Sequence, residues 1–294
     1  MIKHFRAQLR KVKKEVTAIT FGNAIIAGSI FALTDWLALS GTGHLAIISV
    51  LFDLQLQQQN LLLKALIELA VVLAAIIAYR KDVSAMIRDT VGLTGYGKKA
   101  GKKNARFPEA RTLFMLSMST LPLLFMLPFR NSFFSLWNNS VFVGISFLLN
   151  GCILLVCEKM LPGKKGPGAM LISDALILGV CQCVALIPGI SRLAVCMTAC
   201  TAEGFNRQFS VRFSILMAIP AFFGSFVLSL ADAAVAGIDS SLLPVYFVGM
   251  IAAFFISFLT ISLFRRLIAH RGLGPLSYYC FVIGILTFIL TMIF

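Results

Sequence analysis

Two short stretches of this sequence hold residues whose types and spacing can do chemistry within otherwise apolar surroundings. Between Asp35 and His44 the chain offers a carboxylate, the hydroxyls of Ser40 and Thr42, an imidazole, and the glycines Gly41 and Gly43. His44 can act as a nucleophile or move a proton, and Asp35 can orient it, accept a proton or hold a divalent ion. The glycines allow tight turning, and the amides that open a following helix around Gly43 to Ala46 can point at an anion. The second stretch, Pro188-Gly189-Ile190-Ser191-Arg192, sets a hydroxyl and a permanently charged fork at the start of another helix. Arginine suits two-point recognition of phosphate, and a helix N-terminus adds to the same field. A phosphate group is the simplest ligand that satisfies both stretches. Taken singly, His44 can be a helix cap and Arg192 a side chain that reaches a surface. A charge in an apolar segment broken by glycine and proline weighs toward function.

The elements that position these residues belong in a bilayer. Of 294 residues, 59% are hydrophobic and 13% charged, and the mean hydropathy is +0.92, which excludes a soluble protein and gives an all-α polytopic membrane protein. A spanning helix needs roughly 17 to 25 apolar residues. Six segments meet that length: 61–79, 112–129, 141–157, 213–230, 243–264 and 276–294. Two further apolar stretches, 19–52 and 175–202, are broken near their middles by the polar residues just described. Irregular backbone at membrane depth is tolerated only inside protein or beside a wet cavity, so both read as re-entrant helix pairs whose tips meet. The order is re-entrant pair, three spans, re-entrant pair, three spans, which makes an inverted 3+3 repeat with its site near the midplane. The repeats are predicted over 17–170 and 171–294, after a basic amphipathic segment over 1–16. A weak echo agrees: Gly28 lies twelve residues before Ser40, as Gly179 does before Ser191.

Charge orients the chain. Twenty-six Lys and Arg against twelve Asp and Glu give +14, but the basic residues cluster between apolar runs, so they fit loops beside anionic lipid and not a nucleic-acid surface. Seventeen of them fall in 80–111, 158–170, 203–212 and 265–271, which are placed in the cytoplasm; 130–140 and 231–240 go to the other side. The tail over 1–15 carries six more and reads as a retained anchor lying along the headgroups, not as a signal peptide. Lys64 and Glu68, four apart inside the first span, read as an intrahelical pair near the membrane surface. The seven cysteines lie in or beside apolar segments without metal-site spacing and read as packing residues.

At its two polar stretches the chain resembles the undecaprenyl-diphosphate phosphatases, also called bacitracin-resistance proteins. Residues 34–45 read T-D-W-L-A-L-S-G-T-G-H-L against approximately T-E-F-L-P-I-S-S-S-G-H-L, and residues 185–194 read A-L-I-P-G-I-S-R-L-A against A-L-I-P-G-x-S-R-S-G. Arg212-Phe213-Ser214 and Ala218-Ile219-Pro220 resemble a further family stretch, R-F-S-F-L-L-x-I-P. The resemblance covers nearly the whole chain, and the second motif with its downstream stretch is specific. It implies six spanning helices with two re-entrant pairs, and hydrolysis of the terminal phosphate of a polyprenyl diphosphate in the bacterial plasma membrane, which recycles the carrier lipid for peptidoglycan. Carried over, it implies catalytic roles for Asp35, His44 and Arg192, and substrate contacts from Ser40, Thr42, Gly43, Gly189, Ser191 and Arg192. It also brings in a divalent cation, Mg2+ or Ca2+, at Asp35. The partners are the polyprenyl lipid and membrane lipids, with a homodimer left open.

The departures fall at positions that matter. Phe31 stands where the family usually has a second Glu, Gly41 replaces the middle Ser of the S-S-S-G-H run, Ala38 replaces a Pro, and Leu193-Ala194 replaces Ser-Gly. A hard cation would keep only Asp35 with phosphate oxygens and water. Without a hydroxyl at position 41, His44 is the nucleophile candidate, or else it activates water. The alternative from another class is a transporter or flippase for a polyprenyl phosphate or another amphipathic anion, built on a degenerate site.

Overall fold

A computed structural model describes residues 19–52, 60–95, 108–137 and 139–293. The basic tail and residues 96–107 of the basic loop lie outside these. Among the described residues the chain is helical, with one isolated bridge between Lys165 and Phe205 and no strand.

The first broken stretch forms α1 (Phe21–Trp36) and α2 (Gly41–Phe52), which pack against each other. The Thr20 hydroxyl caps α1 by accepting from the Asn23 amide at 3.2 Å. The second forms α8 (Ile172–Val184) and α9 (Arg192–Ala202), also in contact. With 16, 12, 13 and 11 residues, these helices reach only about 16 to 24 Å at 1.5 Å per residue, short of a bilayer core of roughly 30 Å.

Between the pairs run α3 (Leu61–Ala78), α4 (Arg80–Gly95), α5 (Pro108–Phe125), the short α6 (Arg130–Leu136) and α7 (Ser140–Lys159). After them come α10 (Arg207–Ala236), α11 (Leu243–His270) and α12 (Gly274–Ile293). Among the described residues, four helices are long and apolar enough to cross a membrane: Leu61–Ala78, Ser140–Lys159, Arg207–Ala236 and Ser240–His270. They contain the predicted spans 61–79 (to within one residue), 141–157, 213–230 and 243–264. The segment 112–129 differs. Its helix starts at Pro108 and stops at Phe125, where Pro122 and Pro128 withdraw N–H donors and the chain tightens into a 3-10 turn, Leu127–Phe129. Large apolar side chains such as Phe125, Val180, Phe255 and Val282 point outward and are more than half exposed, as lipid contact requires.

The helices pair in a pattern. α1 lies along α11, and α8 lies along α5; α3 packs on α10, and α7 on α12. Gly28 and Gly179 sit at the two cross-pair contacts, where an added Cβ would collide with the Gly249 and Ser119 carbonyl oxygens respectively.

Ion pairs gather the loops at the two ends. Arg212 of α10 holds Asp82 of α4 at 2.6 Å and Glu109 of α5 at 2.9 Å. Arg207 and the Leu273 amide both reach Glu158, and Arg111 donates to the Gly168 and Met170 carbonyls. Arg130 meets Asp232 through two bonds at the other grouping of loops. These pairings join the same loops that charge counting grouped.

One expectation is met and extended by the packing of a second helix. Lys64 and Glu68 do form an i,i+4 pair at 3.0 Å, but they are 6% and 4% exposed. α3 turns this face toward α10, where the Ser229 hydroxyl accepts from Lys64 Nζ at 2.7 Å and donates to Glu68, with Ser225 donating to the other Glu68 oxygen. The pair is part of a network between two helices, in which both buried charges find hydrogen-bonding partners.

Candidate active site

The two tips meet, and hydrogen bonds show how. α1 ends in a Schellman turn: the Leu39 amide donates to the Thr34 carbonyl at 2.8 Å and the Ala38 amide to that of Asp35 at 3.2 Å, with Ala38 at φ +60°. Ser40 follows at φ +70°. This turn reverses the chain so that Gly41 starts α2 inside the protein. On the second tip, Gly189 takes φ +99°, and a Cβ there would sit 2.6 Å from that of Ser146. Gly43 is equally constrained, because its Cβ would lie 2.6 Å from the Gly189 Cα. Glycine at both positions lets the backbones touch.

Ser40 staples the tips. Its Oγ accepts from the Gly189 amide at 3.1 Å and the Gly43 amide at 3.3 Å, which uses both lone pairs and turns its proton toward Thr42 Oγ1 at 3.2 Å. The Thr42 hydroxyl is then the one whose proton remains for a ligand. The Ser191 hydroxyl caps α9 by accepting from the Ala194 amide at 3.4 Å. Asn150 of α7, fully buried, ties both tips from the side: it donates to the Ala38 carbonyl at 3.0 Å and accepts from the Ser191 amide at 2.8 Å.

Arg192 opens α9 from this junction. Its guanidinium lies 4.4 Å from the centroid of the Phe222 ring, and its buried Nε and Nη1 donors have no protein partner. Asp35 lies within electrostatic reach of it, as does Glu68. Phe31 and Trp36 of α1 also pack on Phe222. A half-buried arginine held on an aromatic face, with two enclosed donors unspent, has the chemistry to take an anion. The fit to a resident divalent cation is poor. Asp35 accepts from the Gly41 amide at 3.2 Å, Phe31 brings no oxygen, Glu68 is engaged by Lys64 and two serines, and among the described residues no three His, Cys, Asp or Glu gather as a metal cluster.

His44, on the first turn of α2, is 7% exposed. Its Nδ1 is 2.8 Å from the Ser40 carbonyl oxygen and its Nε2 is 2.9 Å from the Tyr279 hydroxyl of α12. The Phe147 edge meets the ring at 4.9 Å between centroids.

A model of the family described as bacitracin resistance protein BacA matches residues 24–286, nearly the whole chain. The chain belongs to the bacitracin-resistance family. Its relatives include a protein of Methanosphaera stadtmanae named undecaprenyl-diphosphatase, 28% identical over 92% of this chain and 98% of that one. A protein of the same name from Carboxydothermus hydrogenoformans is 29% identical over 91% and 96%, and an undecaprenyl-diphosphatase 4 of Bacillus thuringiensis is 29% identical over 92% and 96%.

Against the bacitracin-resistance motif, the departures at Phe31, Ala38 and Gly41 have local steric reasons, and nothing in the structure explains Leu193-Ala194. Ala38 sits at a positive φ and spends its N–H, and proline, locked near about −65° without a donor, can do neither. A Cβ at Gly41 would stand 2.9 Å from the Phe31 ring and 2.8 Å from its carbonyl oxygen, so Phe31 and Gly41 occupy one shared space. Of the residues drawn from the sequence, Ser40, Gly43, Gly189 and Ser191 meet at the junction, with Asp35, Thr42 and Arg192 beside it and His44 one turn further along α2. Asn150, Phe222 and Tyr279 were missed. Asn150 alone carried a signal, as a lone amide within an apolar span.

Proposed function

We propose that this chain is an integral membrane phosphatase that hydrolyses undecaprenyl diphosphate to the monophosphate, recycling the carrier lipid for cell-wall synthesis in the bacterial plasma membrane. The observation that carries the reading is Arg192: a guanidinium with buried, unspent donors at a helix N-terminus, beside a second helix N-terminus that bears His44. The names of the relatives favour hydrolysis over transport.

In this reading, Arg192 binds the diphosphate and offsets the charge that grows on the leaving phosphate, with the Thr42 hydroxyl and the α9 amides beside it. The His44 Nε2 lone pair either takes a proton from the water whose oxygen bonds to the terminal phosphorus, or attacks that phosphorus itself, after which water cleaves the P–N bond, releasing inorganic phosphate and freeing the imidazole. The bond to the bridging oxygen breaks, and its electron pair leaves with the polyprenyl phosphate. Asp35 supports a proton transfer and holds the first turn of α2 in place. The prenyl tail lies between helices in lipid.

The architecture we favour is six spans with two re-entrant pairs in an inverted repeat over 17–170 and 171–294. The pairing supports it: a two-fold axis in the membrane plane exchanges α1 on α11 with α8 on α5, and maps α3 on α10 and α7 on α12 onto themselves. The basic loops, including the Arg212 cluster, then face the cytoplasm.

The test is phosphate release from undecaprenyl diphosphate by purified protein in detergent, which removes transport and leaves hydrolysis. His44→Ala and Arg192→Ala each abolish release; turnover like the wild type in either variant sinks the roles of these two side chains.

A further inference from the structure

The His44 ring is fixed from several sides, and one of its contacts comes from the far end of the chain. The Ser40 carbonyl can only accept, so at 2.8 Å it places the proton of the neutral imidazole on Nδ1. The lone pair is thereby on Nε2, and the hydroxyl 2.9 Å away on Tyr279 donates to it. The two rings lie nearly parallel, 16° apart with centroids 5.8 Å apart, while Phe147 closes the perpendicular side. Tyr279 is itself anchored, because its neighbour Cys280 is fully buried and accepts from Asn150, the residue that ties the two tips together. Tyr279 is 38% exposed where His44 is 7% exposed, so the phenol stands on the outer side of the imidazole.

We propose that Tyr279 is a positioning residue of the reaction: it aims the His44 Nε2 lone pair and covers it until substrate arrives. This rests on the phosphatase reading. An arriving terminal phosphate takes over the phenol's hydrogen bond through a non-bridging oxygen. Tyr279 keeps its proton throughout, and the freed Nε2 pair then serves the reaction. A tyrosine near the end of an apolar helix can instead be a plain interface anchor. The adjacent Tyr278, 65% exposed, fits that bland role and supplies the control.

The chain has three histidines, His4, His44 and His270, so 15N-histidine labelling of the full-length protein in detergent gives a small set of ring signals, with His44→Ala assigning the relevant one. The expected wild-type state is Nδ1–H with an unprotonated, hydrogen-bonded Nε2. Tyr279→Phe moves the Nε2 resonance downfield and lowers kcat by about 10²-fold with KM unchanged, the size expected for a misaligned reacting group. Tyr278→Phe changes neither. The proposal is overturned if wild-type His44 carries its proton on Nε2, or if Tyr279→Phe leaves either the resonance or kcat as in the wild type at an unchanged melting temperature. Should the wild type release no phosphate while the resonance still moves, the tyrosine contact stands and it is the phosphatase reading that fails.

Discussion

Restoring the motif hydroxyl by Gly41→Ser damages this protein. A Cβ built on Gly41 lies 2.8 Å from the Phe31 carbonyl oxygen, 2.9 Å from the Asp35 Cβ and 2.9 Å from the Phe31 ring. Ordinary van der Waals contact begins near about 3.4 Å, so each approach is too close by roughly half an ångström. Two of the three atoms belong to the body of α1 and cannot turn aside; only the ring is a movable side chain. The strain resolves by pushing the start of α2 away, which stretches the 3.2 Å bond from the Gly41 amide to Asp35 and displaces Ser40 from Gly189 and His44 from Tyr279. Overpacking of this kind costs about 1–3 kcal/mol, and a shift of about 1 Å in a reacting group costs about 10²-fold in rate. Gly41→Ser is therefore expected to lower both the melting temperature in detergent and phosphate release from undecaprenyl diphosphate. Adding Phe31→Ala removes one of the three close approaches, so Phe31→Ala/Gly41→Ser regains part of the loss and not all of it. Wild-type stability and turnover in Gly41→Ser would refute the reasoning, as would a double variant no better than the single one.

Asn150→Ala strands the buried Ser191 amide and Ala38 carbonyl, at about 1–3 kcal/mol for each. It is expected to lower the melting temperature and phosphate release together, and an unchanged melt argues that the tips hold without it. Lys64→Met leaves the Glu68 carboxylate buried without its cation and is expected to cost about 3–5 kcal/mol, read by unfolding in detergent, whereas Lys64→Met/Glu68→Leu recovers most of the loss. A double variant as unstable as the single one would show that the two charges do not act as a unit.

What the sequence made legible was chemistry placed against its grain. Pro188 and Gly189 interrupt an apolar run, and Arg192 is too costly there to be incidental, so the second tip could be read without a neighbour. The first tip was equally visible as a break, but its turn is made by Ala38 and Ser40 at positive φ and not by Gly41 and Gly43, which lie in α2 and allow close packing. The Lys64–Glu68 pair was legible as local geometry, because i,i+4 spacing acts within one helix. Its burial against a second helix was not, since that depends on α10 presenting Ser225 and Ser229 from more than 150 residues away. Tyr279 was hidden for the same reason: it looks like any tyrosine entering a span, and its partner lies 235 residues earlier.

The same contrast bears on the motif itself. Judged by residue type, Phe31, Gly41 and Ala38 are losses of function, each removing an oxygen or a rigid ring. Judged by space, they are one local solution: the body of α1 and the Phe31 ring together fill the volume that a side chain at 41 needs, and Ala38 can take the positive φ and give the N–H that close the turn. Because α1 keeps Phe31 packed on Phe222, and Phe222 carries the Arg192 guanidinium on its face, the substituted residue still bears on Arg192, through packing and cation–π attraction. Arg192 is thereby held on an aromatic face without an ion pair, which leaves its Nε and Nη1 donors unspent, where a bidentate carboxylate would occupy them.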